Sequence, residues 1–360
     1  MLPYWLLFLL FSIPALTNLR QSSPSISGKN WSISWRVTFI FLTFIIGLRH
    51  EVGGDWIHYF RNLEAISYLS LSESLLRIQG DPADSFLNWI AAQLGLGIYL
   101  VNFIYASLFS WGLLIFCRNQ TRPWLALTVA VPYLTIVVAM GYSRQGVAIG
   151  LAMLGLVALE NKGVLKYLIW ISLAALFHKS AIILIPLAVF DGTRSRLLKL
   201  LGVGFILSLL FFLLLQDSLD RLIGGYIYDQ YDSSGAAIRI AMNAIPAVIF
   251  LLWRRRFALS SKMLTFWSLM AWGALAFVAL LYISPSSTAV DRLALYWIPL
   301  QLFVWSRFPD VIGRSGAKNS LWVYLVVGYS AATQFVWLYF ATYSYLWLPY
   351  QFYPWVWLWA

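Results

Sequence analysis

The chain has 360 residues, 61% of them hydrophobic and 11% charged, with a net charge of +11 and a mean hydropathy of +0.75. A soluble domain carries about 25% charged residues, so these values exclude a soluble globule and indicate an all-α polytopic integral membrane protein. The single cysteine, Cys117, excludes an intrachain disulfide and a cysteine-built metal cluster.

Hydropathy predicts about twelve transmembrane or half-membrane helices, several shorter than the ~20 residues of a full span. Their centres lie near Leu9, Phe41, Tyr105, Thr135, Met153, Ile171, Leu184, Leu207, Val248, Gly273, Pro299 and Gly328. The first segment lacks a basic leader and a small-residue cleavage site, and reads as a retained span. One membrane domain, 1–360, is expected, with no separate soluble domain and no visible repeat.

Directly after the second segment, Arg49 to Phe60 read RHEVGGDWIHYF. Mixed charges at the mouth of a span are retained where they face water, a ligand or a partner, and paired glycines allow a tight or left-handed turn beside them. The spacing from Asp55 to His58 places both on one helical face. This segment opens a long loop, about 49–84, whose middle, Tyr68 to Ile78, alternates apolar and polar residues as an interfacial helix does. Asp81-Pro82 and Asp84 precede a short apolar run and also suit a plain turn and N-cap.

Further along, Gly141-Tyr142-Ser143-Arg144-Gln145 stands at the outer end of a span. A guanidinium suits a phosphate because its planar fork makes paired hydrogen bonds and keeps its charge; a snorkelling side chain is the plain alternative. Val164 to Phe190 carries His178-Lys179 in its middle. Read as one helix, it would invert every later loop. Read as a hairpin of two short arms, it puts His178 at a tip below the outer surface, on the floor of a water-filled cavity. A second loop, about 216–236, holds Tyr226, Tyr228 and Tyr231. Arg239 opens one later span and Asp291-Arg292 another, where the helix macrodipole alone favours the aspartate. The C-terminal segment 343–360 is dense in Trp and Tyr, residues that also form interfacial belts.

Sorting charges by alternate loops gives two unlike sides. One carries about 17 basic residues, including Arg118, Arg122, Arg254 to Arg256, Lys262, Arg307, Arg314 and Lys318, against Glu160, Asp191 and Asp310. The other holds the long loops, the histidines and the remaining acids. The positive-inside rule makes the first side cytoplasmic, so the +11 is an orientation signal rather than a nucleic-acid signal. The candidate site therefore faces outward, and Arg122, on the basic side, is expected to tolerate lysine. Walker, Rossmann, HExxH, GxSxG and cytoplasmic DxD motifs are absent, which disfavours a cytosolic nucleotide-sugar transferase.

Six stretches in this order, RHEVGGDWIHY, DPADSFLNW, SRQGVA, FHKSA, DRLALY and LPY, resemble the EpsG/Wzy-type family of exopolysaccharide and O-antigen polymerases. They span about 300 residues; Asp81 departs from the glutamate expected before the proline. The resemblance implies a GT-C-like membrane glycosyltransferase at the bacterial inner membrane, its site facing the periplasm or cell exterior. It would move a growing glycan from undecaprenyl pyrophosphate onto another lipid-linked repeat unit.

The acceptor hydroxyl then needs a base, for which Asp55 is the first candidate, His178 the second and Glu51 a third. Arg49, Arg144, Lys179, Arg239 and Arg292 would stabilise the leaving pyrophosphate. Trp56, Tyr59, Asp84, Gln145, Asp291 and Tyr350 would contact glycan. No metal or other cofactor is required. Implied partners are undecaprenyl-pyrophosphate-linked glycans, membrane lipids, and a chain-length regulator and flippase of the same pathway, with no nucleic acid. A lipid-linked glycan ligase makes nearly the same demands, and a glycan flippase or transporter would line both halves of a pathway with charge.

Overall fold

The computed structural model describes residues 1–19, 31–76, 80–161, 163–190, 196–211, 214, 233–314 and 317–359. Every predicted apolar centre falls in a helix. These helices are α1 (Leu2–Thr17), α2 (Ile33–Gly47), α6 (Gly97–Arg118), α7 (Pro123–Ala139), α8 (Ser143–Asn161), α9 (Val164–Phe177), a 3-10 segment (Lys179–Phe190), α10 (Arg196–Leu210), α11 (Ala236–Trp253), α12 (Ser261–Ile283), α14 (Ile298–Ile312) and α15 (Ser320–Phe340). Among the described residues, five helices are long and apolar enough to cross a membrane: α6, α8, α11 with its 3-10 extension, α12 and α15. Others, such as α1, α2 and α9, are apolar but shorter.

Short amphipathic elements lie between α2 and α6: α3 (Trp56–Ser67), α4 (Leu71–Leu75) and α5 (Pro82–Gln93). The expected interfacial helix over Tyr68 to Ile78 is not continuous. Ser70 caps α4 in a reciprocal box with Glu73, which starts a new helix there; Arg77 and Ile78 lie outside the described residues. So do Tyr226, Tyr228 and Tyr231 of the second loop. Helices α6 and α8 pack backbone to backbone. A Cβ on Gly112 would stand 2.0 Å from the Gly150 carbonyl oxygen, so only hydrogen fits.

The hairpin reading of Val164 to Phe190 holds. Helix α9 ends at Phe177, His178 is extended (φ −155°, ψ 109°), and the Tyr167 hydroxyl donates to the Leu184 carbonyl at 2.6 Å. In a continuous helix those residues would be about 25 Å apart.

Contacts respect the two charge sides. Arg122 donates to both Asp310 carboxylate oxygens (2.7 and 3.0 Å) and to the carbonyls of Leu19, Ala317 and Lys318. Arg307 reaches Gln120, and Lys262 the Leu159 carbonyl. At the other end, the loop after α2 meets Met140, Ser143 and the C-terminal segment. Arg122 is therefore no dispensable anchor, which corrects the sequence expectation. It is 4% exposed and its fork holds three chain segments together. Replacing it with alanine breaks a buried pair, worth about 3–5 kcal/mol, and lysine loses the fork. Both variants should melt earlier in detergent, alanine more so, as read by fluorescence-detected size exclusion. Wild-type melting of both would contradict this role.

Candidate functional site

The segment after α2 is tied to two distant parts of the chain. The Gly53 amide donates to the Leu346 carbonyl (2.9 Å), the His50 amide to Gln351 (3.0 Å), and the Tyr353 amide to Leu48 (2.8 Å). Asp55 donates its amide to the Gly141 carbonyl at 3.3 Å. The two glycines act differently. Gly53 has φ +110° and a Cβ there would lie 2.3 Å from the Met140 carbonyl oxygen, whereas Gly54 has room beside Trp347. Gly141 is pressed against Trp347, whose ring a Cβ would meet at 2.0 Å.

Arg49 holds this junction from within. It is 1% exposed; Nε donates to Val52 and Met140 carbonyls, Nη1 to Ile46, and Nη2 to Asn102 and to the Ser143 hydroxyl. All three nitrogens are engaged with protein. Arg49, expected at the pyrophosphate, thus lies inside the junction, where burial lowers its pKa to about 10.

Arg144 occupies the first turn of α8 and faces two carboxylates, Asp81 at 3.2 Å and Asp84 at 3.7 Å, with the Tyr59 ring 5.6 Å beneath it. Its Nε is buried without a hydrogen-bond partner among the described residues. Asp81 takes the N-cap position of α5 but makes no side-chain cap; it also accepts the Lys179 amide at 3.2 Å. The hairpin tip thus docks on the carboxylate that pairs with Arg144. His178, next to it, has Nδ1 2.5 Å from the Ser180 hydroxyl and 3.3 Å from that of Tyr296. Burial first, and then the nearby Arg144, Arg292 and Lys179, lower the pKa of that imidazole and disfavour it as a proton acceptor.

Burial raises the Asp81 carboxyl to about 6, against the pull of Arg144. Because the folded value lies above the ordinary 3.8, this group stabilises the fold less as pH rises from about 4 to 6. Function runs the opposite way, since protonation below about 6 releases Arg144 and the Lys179 amide. Activity should fall on the acid side with an apparent pKa near 6, and Asp81→Asn should remove that limb from whatever activity remains. An unchanged limb in that variant would contradict the assignment.

A second ion pair stands across the site. Arg239, in the first turn of α11, grips Asp291 on α13 (Ser287–Ala294) through Nε at 2.8 Å and Nη2 at 2.7 Å. Asp291, expected to contact glycan, is 8% exposed and also accepts from the Ser233 hydroxyl. Arg292 lies over the Tyr142 ring at 5.4 Å, with no carboxylate partner among the described residues. Gln145, expected to contact glycan, is 2% exposed and donates to the Arg292 carbonyl at 2.6 Å.

Two further residues expected to contact glycan are bonded to protein. Asp84 is 2% exposed and accepts from Tyr105 (2.6 Å), Asn88 (2.9 Å) and Asn62 (3.4 Å). Its lone pairs are taken by protein. The Tyr350 hydroxyl donates to the Ile45 carbonyl at 2.7 Å, fastening the C-terminal segment to α2. By contrast, Asp55 is half-buried at the N-terminus of α3, makes no side-chain capping bond, and among the described residues its carboxylate accepts one hydrogen bond, from the Tyr59 hydroxyl at 3.4 Å. Glu51 has φ +52° and a mostly exposed side chain. His58 is exposed on the α3 surface, outside this cluster.

Two cavities flank the junction. The first, about 550 Å³, lies between α11 and α15; Ile238, Met242, Ile245, Val336 and Phe340 line its apolar length, and Arg239, Tyr142 and Ser234 its polar end. Its floor is Tyr133 and Val137 of α7, whose second half, Val131–Ala139, winds as a π-helix. The second, about 690 Å³, includes Glu51, Gly53, Gly54 and Trp56 in its wall. Asp55 lines neither cavity, but its chain neighbour Gly54 belongs to the second, and Tyr142, next to its amide's acceptor, to the first.

Sequence reasoning missed Trp347. Its Nε1 donates to the Ile136 carbonyl inside the π-helix, its own carbonyl accepts from Tyr4, and it is 1% exposed. The LPY stretch beside it was the only available signal. In comparison with known proteins, the family model described as the EpsG family matches residues 32–352. No curated protein and no solved structure matches.

Proposed function

The chain belongs to the EpsG family, and from that premise we propose that it polymerises lipid-linked oligosaccharide repeat units at the outer face of the bacterial inner membrane. Family membership and the apolar helices make it a membrane protein of the polysaccharide-polymerase type. The donor, undecaprenyl pyrophosphate carrying the growing glycan, and the acceptor, a lipid-linked repeat unit, are our assignment.

The observation that carries it is the first cavity. An isoprenoid pyrophosphate is an apolar chain ending in a dianionic head. The cavity runs along the apolar faces of α11 and α15 and ends at Arg239 and Tyr142, with Arg292 over the Tyr142 ring. Exposed Ile238, Ile245 and Phe340 open it sideways, where acyl chains would otherwise lie. Arg292 and Arg239 face the leaving pyrophosphate, which needs cationic stabilisation more than a proton. Arg144 and the Lys179 amide meet at Asp81. Asp55 is the base: it stands at the N-terminus of α3, makes no side-chain cap, and its carboxylate meets one long contact from Tyr59.

Deleting the gene and resolving the lipid-linked glycans on a gel tests the reading. A polymerase leaves single repeat units on the carrier. Long chains left unattached on the lipid would instead make the protein a ligase.

A further inference from the structure

Resting on that reading, we propose that the second cavity, walled by His50, Glu51, Trp56, Arg61, Glu64 and Tyr99, binds the sugars of the acceptor. At about 690 Å³ it has the size of a small-molecule site, and its walls differ in kind from those of the first cavity. His50, Glu51, Arg61 and Glu64 stand around it, which suits hydroxyl groups and not an isoprenoid tail.

The aromatic wall is braced. The Tyr99 ring stacks on Tyr353 with centroids 3.6 Å apart, and lies 6.1 Å from both the His50 and Trp56 rings. Its hydroxyl pairs with His50 Nδ1 at 2.6 Å. A ring held this way presents a fixed apolar face with polar tips around it, which matches a pyranose: C–H groups on its face, hydroxyls at its edge. Carboxylates and a guanidinium then make charge-assisted hydrogen bonds to those hydroxyls.

The cavity's position gives it the acceptor rather than the donor. The short helix Ser344–Trp347 separates the two chambers: Tyr343 and Trp347 line the first, Tyr345 and Leu346 the second. Asp55 adjoins that partition: its chain neighbour Gly54 packs beside Leu346 and Trp347. A sugar hydroxyl presented from the second chamber attacks the anomeric carbon of the donor presented from the first. The new C–O bond forms as the bond to the pyrophosphate oxygen breaks; the leaving pyrophosphate keeps that electron pair, and Asp55 receives the hydroxyl proton. No further reactant is needed.

The test uses the full-length protein in nanodiscs and two probes: repeat-unit oligosaccharide released from its lipid by mild acid, followed by saturation-transfer NMR, and undecaprenyl pyrophosphate. Tyr99→Ala and Tyr345→Ala should each weaken oligosaccharide binding at least about tenfold and leave undecaprenyl pyrophosphate binding within about twofold. Tyr345 is 63% exposed, so its removal spares the core and decides the matter if Tyr99→Ala fails to fold. Unchanged oligosaccharide binding in the folded variants, or equal loss of both probes, overturns the acceptor assignment. Absence of undecaprenyl pyrophosphate binding by the unmodified protein would instead overturn the polymerase reading beneath it.

Discussion

Exchange of Arg144 for lysine is expected to cut polymerisation about 100-fold or more while the protein still inserts. Arg144 reaches Asp81 at 3.2 Å and Asp84 at 3.7 Å through the same Nη1, and its guanidinium lies over the Tyr59 ring. A lysine ammonium on a shorter stem falls short of the point where Nη1 meets both carboxylates, and it gives up the planar group over Tyr59. The positive charge stays, so insertion and gross folding should survive. What is lost is the joint position of Asp81 and, through the Lys179 amide, of the hairpin tip. In vitro polymerisation at matched protein concentration measures this. Activity within about threefold of wild type would remove Arg144 from the site.

Asp55→Asn should abolish chain growth with normal abundance. The change is close to isosteric. Asp55 makes no side-chain cap and one long contact, so little packing depends on its charge. Losing a positioned base typically removes about 10²–10⁴ in rate, and no neighbouring group is well placed to replace it. Glu51 points into the second cavity and His178 stands among three cations. His178→Gln should be milder, because that imidazole is fixed by Ser180 and Tyr296 and acts on position. Near-normal turnover by Asp55→Asn would transfer the role to His178 or Glu51.

Helix positions were legible because apolar runs report burial in lipid directly, and the break at His178 was legible because a polar pair interrupts such a run. The fate of individual charges was not. Arg49, Arg122 and Arg144 look alike in sequence, each beside the end of an apolar segment. Their roles differ through partners elsewhere in the chain: Met140 for Arg49, Asp310 for Arg122, Asp81 for Arg144. Asp84 and Gln145 read as ligand contacts for the same reason, since their acceptors and donors, Tyr105 and the Arg292 carbonyl, are brought in only by tertiary packing. The C-terminal segment read as an aromatic belt. Its pairing with the segment after α2 joins residues some three hundred positions apart, and backbone hydrogen bonds of that kind leave no periodic trace.

The central claim is that new glycosidic bonds form at this site from lipid-linked donors. Purified protein in liposomes, supplied with lipid-linked repeat units on the outer leaflet, tests it most directly. The expected result is a ladder of lengthening lipid-linked glycans, with one undecaprenyl pyrophosphate released for each bond formed. Repeat units that stay single, or that only cross the bilayer unchanged, would contradict it.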